Sequence, residues 1–493
     1  MTPYFNIMFA MGPAGEFSYN KKMPWPRIKE DLNFFKKVTT NTQGCTTKLN
    51  AVIMGRNTFE SLSSTPLTGR VNIVVSKKLS DLSNEFGFDT PYIPATSLGD
   101  ALTKAGELME QGKVHRIFLI GGVKLIYEGL RHPLLEYVYE TTVYPRTETA
   151  QFQADNYIFP DDSMASSTST ELINIKETAL DTEDGKYNLK FIKYMVRRDH
   201  PENEYLDVCE DIIARGSRSS NRTGIDTLST WGVHLTFDMD NDGFPLYTTK
   251  EVMWNGIVEE LLFFLSGKTD SKLLEAKGVH IWKGNTTREF LDKVGKPDYN
   301  VGEMGPMYGW QWRHYGAEYV PNVQLDIGQG GLDQIQWLID SIKTVKRDPS
   351  NSLARRLLVT TWNPVDLPKM AINPCHYCFQ FSVSGDRLNC LVNMRSNDMG
   401  CGNPFNVASY ALLTHMICHL TDLKPGKLVM SLADCHIYTT HIDAFKKQLS
   451  RPPRKWPTLT IPKLHQSIND FTLASFNLTG YQPHPKLPMK MAV

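Results

Sequence analysis

Neither sign of charge is in excess: Lys plus Arg and Asp plus Glu both number 53 in 493 residues. Nothing global therefore favours nucleic acid, a charged membrane surface or an acidic tail, and affinity for anions has to come from local arginines. Cysteine is sparse, and eight residues without regular spacing do not make a disulfide framework; reduced thiols and a cytoplasmic setting are expected. Long hydrophobic runs are missing too. The longest uncharged stretch, from Gly402 to Thr421, is broken by Asn403, Asn406, Ser409, Thr414, His415 and His419, which suits a buried helix and argues against a membrane span. The opening MTPYFNIMFAMGPAGEF has no basic n-region and reaches Gly and Pro before an apolar core could finish, so no signal peptide is expected. No tract is biased enough for disorder, and no internal repeat points to a solenoid.

What is present is a globular composition, 41% hydrophobic and 22% charged, in a chain too long for one ordinary core. The first part alternates strand-like runs (Tyr4 to Met11, Ala51 to Met54, Asn72 to Ser76, Ile117 to Ile120) with helix-like ones (Ile28 to Thr39, Leu98 to Met109, Lys124 to Leu130). That alternation implies an α/β domain, a central mostly parallel sheet flanked by helices, with ligands at the carboxyl ends of its strands. An antiparallel pair, Glu136 to Tyr144 with Asn188 to Val196, closes it. Around the charged, Pro-containing RRDHPENE the pattern changes, which sets domains at residues 1–198 and 199–493 with almost no linker. The second part is α+β. It has helices around Glu202 to Arg215, Met253 to Ser266 and Leu332 to Lys346, a strand around Thr227 to Asp238, a hairpin turning at Ser384 to Arg387, and the uncharged helix after Pro404.

In the first part, Pro24-Trp25-Pro26 precedes a helix in which Ile28, Leu32 and Phe35 form one apolar stripe with Asp31 beside it. A carboxylate at the edge of an apolar face is desolvated, so its pKa rises toward neutrality and it can handle protons there. A solvated helix face is the bland alternative. Met54-Gly55-Arg56-Asn57-Thr58 and Ile120-Gly121-Gly122 both sit where a strand hands over to a helix, and free N–H groups at such points suit phosphates. One such glycine can serve backbone geometry alone.

In the second part, Asn373-Pro374-Cys375-His376 ends a loop before the strand CFQFSV. A Cys becomes a nucleophile where cations favour its thiolate, and Arg222, Arg355, Arg356 and Arg395, all next to strand-like text, can supply them. Each arginine alone reads as a surface ion pair. Cys375-x-x-Cys378 formally matches a metal or dithiol pair, but no second pair has zinc spacing, and on a strand the two side chains would face opposite sides. No metal is expected.

These residues carry family resemblances. PWP before an acidic helix, MGRNTFESL, PLTGRVNIVVS and IGG resemble dihydrofolate reductase over roughly residues 4 to 197. NRTGIDTLS, FPLYTTK, EELLFFL, HIWKGN, GPMYGWQWRHYG, ARRLLVTTWNP, PCHYCFQF, RSNDMG with PFNVASYALL, ADCHIYTTH and MKMAV resemble thymidylate synthase over roughly residues 202 to 493. Together they resemble the bifunctional dihydrofolate reductase–thymidylate synthase family.

For the first half the resemblance implies NADPH as hydride donor, with Asp31 holding and helping to protonate the pterin. Phe35 and Arg70 would bind the folate, Arg70 through its α-carboxylate. Ala10, Arg56, Thr58, Ser76, Lys77, Gly121 and Gly122 would line the NADPH. For the second half it implies dUMP and 5,10-methylenetetrahydrofolate as substrates, with dTMP and dihydrofolate as products. Cys375 would attack C6 of dUMP, Glu260 would organise water for proton transfer and Tyr308 would help remove the C5 proton. Arg222, Arg395 and Ser396 would bind the phosphate, Asn406 would read the uracil, and His436 with Tyr438 would hold the sugar. Asp398, Trp282, Asn285 and Val493 would contact folate. Arg355 and Arg356 would reach the phosphate of a neighbouring subunit, which implies a homodimer through this half. Neither a membrane nor nucleic acid is implied.

Several positions depart from the family pattern. Glu16-Phe17-Ser18 stands where GIG is usual, Ile126 where Tyr is usual, Asn57 where a basic residue is common. In the second half Met394, Asn397, Cys401, Asn403 and Lys283 replace Gln, Cys, apolar and Asp residues. Two other readings stay open at this point: a synthase whose first half is mainly structural, and a folate- or nucleotide-binding regulator without turnover.

Overall fold

The computed structural model describes residues 3–77, 92–147, 151–159 and 170–492. The chain divides into two compact units, Met1–Asp199 and His200–Val493.

The first unit contains strands β1 (Phe5–Met11), β2 (Glu16–Ser18), β3 (Leu49–Gly55), β4 (Arg70–Val75), β5 (Ile93–Ala95), β6 (Val114–Gly121), β7 (Leu135–Pro145), β8 (Asn156–Tyr157), β9 (Thr170–Asp181) and β10 (Tyr187–Arg198). Its helices are α1 (Lys29–Thr40), α2 (Arg56–Ser61), α3 (Leu98–Glu110) and α4 (Val123–Leu130). Eight strands form one sheet in the order β5-β4-β3-β6-β1-β7-β10-β9. From β5 to β7 every pairing is parallel, and β10 then runs antiparallel to both β7 and β9. Strands covered on both faces need apolar residues at successive positions, and β1 and β3 are buried over nearly their whole length. The carboxyl ends of β1, β3, β4 and β6 thereby collect Ala10, Gly55, Ser76 and Gly121 along one edge.

Two sequence expectations need correction here. Leu32 is 39% exposed, so of the expected Ile28–Leu32–Phe35 stripe only Ile28 and Phe35 pack on the core, joined there by Phe34 and Val38. The partner strand β9 escaped notice because it is an edge strand rich in charge and mostly exposed.

The second unit contains α5 (Glu202–Arg215), β11 (Ser217–Ser219), β12 (Thr227–Asp238), α6 (Trp254–Leu265), α7 (Lys272–Glu275), α8 (Arg288–Lys293), α9 (Tyr308–Arg313), α10 (Gln334–Arg347), β13 (Leu358–Thr360), β14 (His376–Ser384), β15 (Arg387–Asp398), α11 (Gly402–Thr421), β16 (Lys424–Tyr438), α12 (Ile442–Leu449), β17 (Thr458–Thr460) and β18 (Asn477–Thr479). Its six-stranded sheet has the order β11-β12-β16-β15-β14-β13. All pairs are antiparallel except β15 with β16. The uncharged stretch forms α11, buried on almost every side and packed on β15 and β16. It starts at Gly402, ahead of the expected Pro404, because proline fits the first turn, where no intrahelical bond to its nitrogen is needed. Among the described residues no helix is long and apolar enough to cross a membrane.

Candidate active sites

In the first unit Asp31 sits in the first turn of α1, and burial raises its carboxyl above the ordinary 3.8 although a hydrogen bond from Thr141 works the other way. The side chain is thus a half-buried carboxyl with one hydroxyl partner. At the far end of the same helix Arg70 donates from Nη1 to Thr39 Oγ1 at 2.8 Å and from Nε and Nη2 to the Thr68 carbonyl, with its guanidinium 5.7 Å from the centre of the Phe35 ring. Eight residues of helix separate Asp31 from Thr39, a span of about 12 Å. This helix therefore has a carboxyl at one end and a guanidinium at the other, with Phe35 between.

The edge expected to face a nucleotide is built from backbone. Gly55 caps α2 and Gly122 caps α4, and a Cβ on Gly122 would meet Gly55 Cα at 3.5 Å, so the two helix starts touch. Gly122 has φ +89°, where L side chains are strained, and a Cβ on Gly121 would strike the Thr58 side chain at 2.6 Å. Ser76 is buried at the end of β4 and its amide donates to Ala95, while Lys77 beside it is exposed and Ala10 is buried in β1. Arg56 is held by Glu60, 3.3 Å away. At the departures from the family pattern, Ile126 is fully buried, and the Tyr127 hydroxyl donates to the Tyr157 carbonyl and accepts from the Phe159 amide, so the neighbouring ring does the tying. Glu16-Phe17-Ser18 forms β2, paired antiparallel with β8.

In the second unit the register of two strands does the assembly. Ser396 lies opposite Asp434 and Asp398 opposite His436 on the parallel β15–β16 pair, so alternate residues of both strands face one side. Asp434, which the sequence reading missed, accepts from Ser396 Oγ at 3.3 Å and from His436 Nδ1 at 3.0 Å. Burial alone would raise its carboxyl, but His436, Ser396 and Arg395 together hold it below the usual range. An acid two residues before a functional His on a strand was the available signal. Thr227 pairs with Tyr438, which brings the turn carrying Arg222 to the same end.

Cys375 sits just before β14, and a bulge between His376 and Cys378 removes the simple face alternation expected of Cys375 and Cys378. All eight cysteines are free. The Cys375 amide donates to the Tyr308 hydroxyl at 2.9 Å, and Arg395 reaches from Nη2 to 3.9 Å from Sγ while also donating to the Asn373 and Pro374 carbonyls. Burial pushes the thiol up on balance, with Arg395 and then Arg222 opposing it. Beneath it, Tyr308 stacks on His376 with ring centres 4.0 Å apart. Burial drops His376 to about 3, so this ring is neutral.

Glu260 lines a small cavity with Leu261, Phe264, Trp312, His376 and Asn406. Burial pushes its carboxyl up to about 7, although the Trp282 indole donates to it at 2.8 Å. A carboxyl half protonated near neutral pH can both give and take a proton. Asn285 is buried one turn after Trp282.

The departures Met394, Asn397 and Asn403 are mutually connected. The Tyr247 hydroxyl donates to Asn403 Oδ1 at 2.9 Å, Asn403 Nδ2 to Asn397 Oδ1 at 2.8 Å, and Asn397 Nδ2 to Asn406 Oδ1 at 3.3 Å and Met394 Sδ at 3.4 Å. This chain fixes which way the Asn406 amide points. Lys283 instead lies at the surface near Glu275, and Cys435 is a buried packing residue. Arg355 and Arg356 are both exposed and make no ion pair among the described residues. Val493 lies outside those residues.

A family model described as thymidylate synthase matches residues 203–493, and one described as dihydrofolate reductase matches residues 4–195. The chain is 39% identical to the bifunctional dihydrofolate reductase-thymidylate synthase of Zea mays, over 96% of this chain and 93% of that relative. It is 39% identical to the protein so named from Paramecium tetraurelia over 99% of each, and 37% identical to that from Leishmania major over 99% of this chain and 95% of the other.

Proposed function

The chain belongs to the bifunctional dihydrofolate reductase–thymidylate synthase family, and from that premise we propose how its residues divide the two reactions. It is both an oxidoreductase and a methyltransferase, using NADPH in one half and methylenetetrahydrofolate in the other, and neither reaction needs a metal. A purely structural first half is not favoured.

In residues 199–493, Arg222, Arg395 and Ser396 take the phosphate of dUMP, His436 and Tyr438 hold the sugar, and Asn406 pairs with the uracil edge. The Cys375 sulfur bonds to C6, and the electron pair displaced from the C5–C6 double bond makes C5 the nucleophile that accepts the one-carbon unit. Glu260 relays the proton at the pyrimidine oxygen through water, and Tyr308 assists removal of the proton on C5 as the folate amine leaves the one-carbon unit. The resulting methylene takes hydride from the tetrahydrofolate while the C6–S bond reopens, which frees Cys375 and leaves dTMP and dihydrofolate. Asp398, Trp282, Asn285 and Val493 contact the folate. The single observation that carries this reading is the Arg395 guanidinium 3.9 Å from Cys375 Sγ, on the strand that also presents Ser396.

In residues 1–198, NADPH supplies hydride when bound. Asp31 holds the pterin and delivers a proton to it, Arg70 pairs with the folate α-carboxylate and Phe35 packs on the ring system between them. Gly121, Gly122, Arg56, Thr58, Ser76, Lys77 and Ala10 line the dinucleotide. Gly55 and Gly122 meet backbone to backbone and Gly121 abuts Thr58, and helix starts bare of side chains suit a pyrophosphate, so the residues fit the group.

A homodimer is part of this proposal. Arg355 and Arg356 are exposed, and the six-stranded sheet leaves Trp231 76% exposed, a costly surface for one copy alone. The free cysteines support residence in the cytoplasm.

The test is one purified protein in one tube. Dihydrofolate should form when dUMP and methylenetetrahydrofolate are supplied, and NADPH should then be consumed; absence of the first step would sink the reading. Mixing inactive Cys375→Ser with inactive Arg355→Ala/Arg356→Ala chains should restore methylation through hybrid dimers, and no restoration would remove the shared phosphate site.

A further inference from the structure

Beyond the two reactions, the turn that leaves β15 carries a cluster with no assigned role in turnover as a set. Asp398, Cys401 and His441 bring a carboxylate oxygen, a sulfur and a ring nitrogen within 4.8 Å of one another. His441 is only 2% exposed, and its Nε2 shares a 2.8 Å hydrogen bond with the Lys490 carbonyl. A carbonyl only accepts, so Nε2 carries the proton of this hydrogen bond, which leaves Nδ1 as the ring nitrogen open to a metal. Among the described residues that Nδ1 is buried without a hydrogen-bond partner, an arrangement that costs free energy unless something binds there. The space it faces is bounded by donor atoms: a Cβ on Gly400 would stand 2.9 Å from His441 Nδ1, 3.1 Å from Met489 Sδ and 3.2 Å from Asp398 Oδ1.

We propose that Asp398, Cys401 and His441 form a zinc(II) site that regulates the synthase half. Zinc accepts sulfur, nitrogen and oxygen ligands together, whereas magnesium and calcium want oxygen and would find a single carboxylate here. Tetrahedral bonds of about 2.0–2.3 Å put ligand atoms roughly 3.3–3.7 Å apart, so the cluster has to draw in by about 1 Å, within reach of side-chain rotation. The Lys490 carbonyl on Nε2 is the outer-shell acceptor that metal-bound imidazoles carry. On binding, the Cys401 S–H bond breaks, a sulfur–zinc bond forms and one proton leaves to solvent.

One group opposes the ion. Lys250 donates to the Gly400 carbonyl and lies 3.5 Å from Met489 Sδ, so its charge lowers the affinity, and Lys250→Met should bind zinc more tightly. The regulatory consequence rests on the folate contact proposed for Asp398: occupancy takes that carboxylate away from the pterin, so zinc inhibits methylation and spares dihydrofolate reduction.

Cobalt(II) is the probe, titrated into the full chain carrying Cys375→Ser so that the nucleophile is silent. The expected result is a thiolate-to-cobalt charge-transfer band that zinc displaces, that disappears in Cys401→Ala and whose midpoint rises at least about tenfold in His441→Gln. Calorimetry in two buffers should count one proton released per zinc. Absence of the band, or its survival in Cys401→Ala, overturns the site. With Cys375 intact, zinc should suppress methylation in the parent and at least about tenfold less in Cys401→Ala. Zinc bound at Cys401 with methylation unchanged would instead remove the folate contact from Asp398 and overturn the regulation, leaving the metal site itself established.

Discussion

The edge of the first unit proposed to face phosphate is made of Gly55, Gly121 and Gly122, positions defined by the side chains they lack. The wall of the second proposed to face an anion is made of Arg395, Ser396 and His436, each held by a named partner. A backbone site works through open N–H groups and tolerates change in neighbouring side chains, which is why Ile126 and Tyr127 can exchange duties there. A side-chain site works through charge placed near a buried sulfur, so each member carries its own energetic weight.

Five substitutions would sharpen or break that contrast. Cys375→Ser should lower methylation of dUMP by about 10⁴-fold or more while leaving dihydrofolate reduction unchanged, as seen when a covalent nucleophile is lost; residual methylation near the parental rate, followed through dihydrofolate absorbance, would contradict it. Asp31→Asn should cost the reductase about 10²–10⁴-fold and the synthase nothing, the scale of one proton-transfer group. Equal loss of both activities would mean the sites are not independent.

Glu260→Gln should lower methylation by about 10²-fold and erase the limb of its pH profile near pH 7. It also has a stability signature with a definite sign. Burial raises this carboxyl from the ordinary 4.5 to about 7, so the stability its protonated form contributes is complete below pH 4.5 and lost as the pH rises through about 7. The Gln variant should therefore unfold at a higher denaturant concentration than the parent above pH 7, and urea titrations at pH 5 and 8 that show no difference in this gap would refute the burial argument.

The smallest effects test the fine structure. Gly121→Ala drives a methyl into Thr58 and should raise the KM for NADPH with an overpacking cost of about 1–3 kcal/mol, leaving methylation intact. Asn397→Ala, which cuts the chain from Tyr247 to Asn406, should raise the KM for dUMP by the worth of about one hydrogen bond, near 1 kcal/mol, with kcat less affected. A kcat effect larger than the KM effect would place Asn397 nearer the chemistry.

The same contrast explains what could be read in the sequence. Strands β1, β3, β4 and β6 were visible because buried parallel strands are continuous apolar runs, and α5 and β12 because their periodicity is regular. Cys375, the proposed nucleophile, and the arginines around it announced themselves by chemistry. Leu32 was misjudged because periodicity cannot tell a side chain packed in a core from one left at the surface beside Asp31. Edge strand β9 was missed because charge disguises it. The links from Tyr247 through Asn403 to Asn397, and from Asp434 to Ser396 and His436, join residues far apart in the chain, so only the folded register creates them.

That register has an evolutionary consequence. Because the β15–β16 pair alternates faces with period two, inserting or deleting one residue near Ser396 or Asp434 would turn its half of the wall toward the opposite side of the sheet while the strands could still pair. Point changes can accumulate along these strands, but their length is frozen, and variation in chain length has to be absorbed elsewhere.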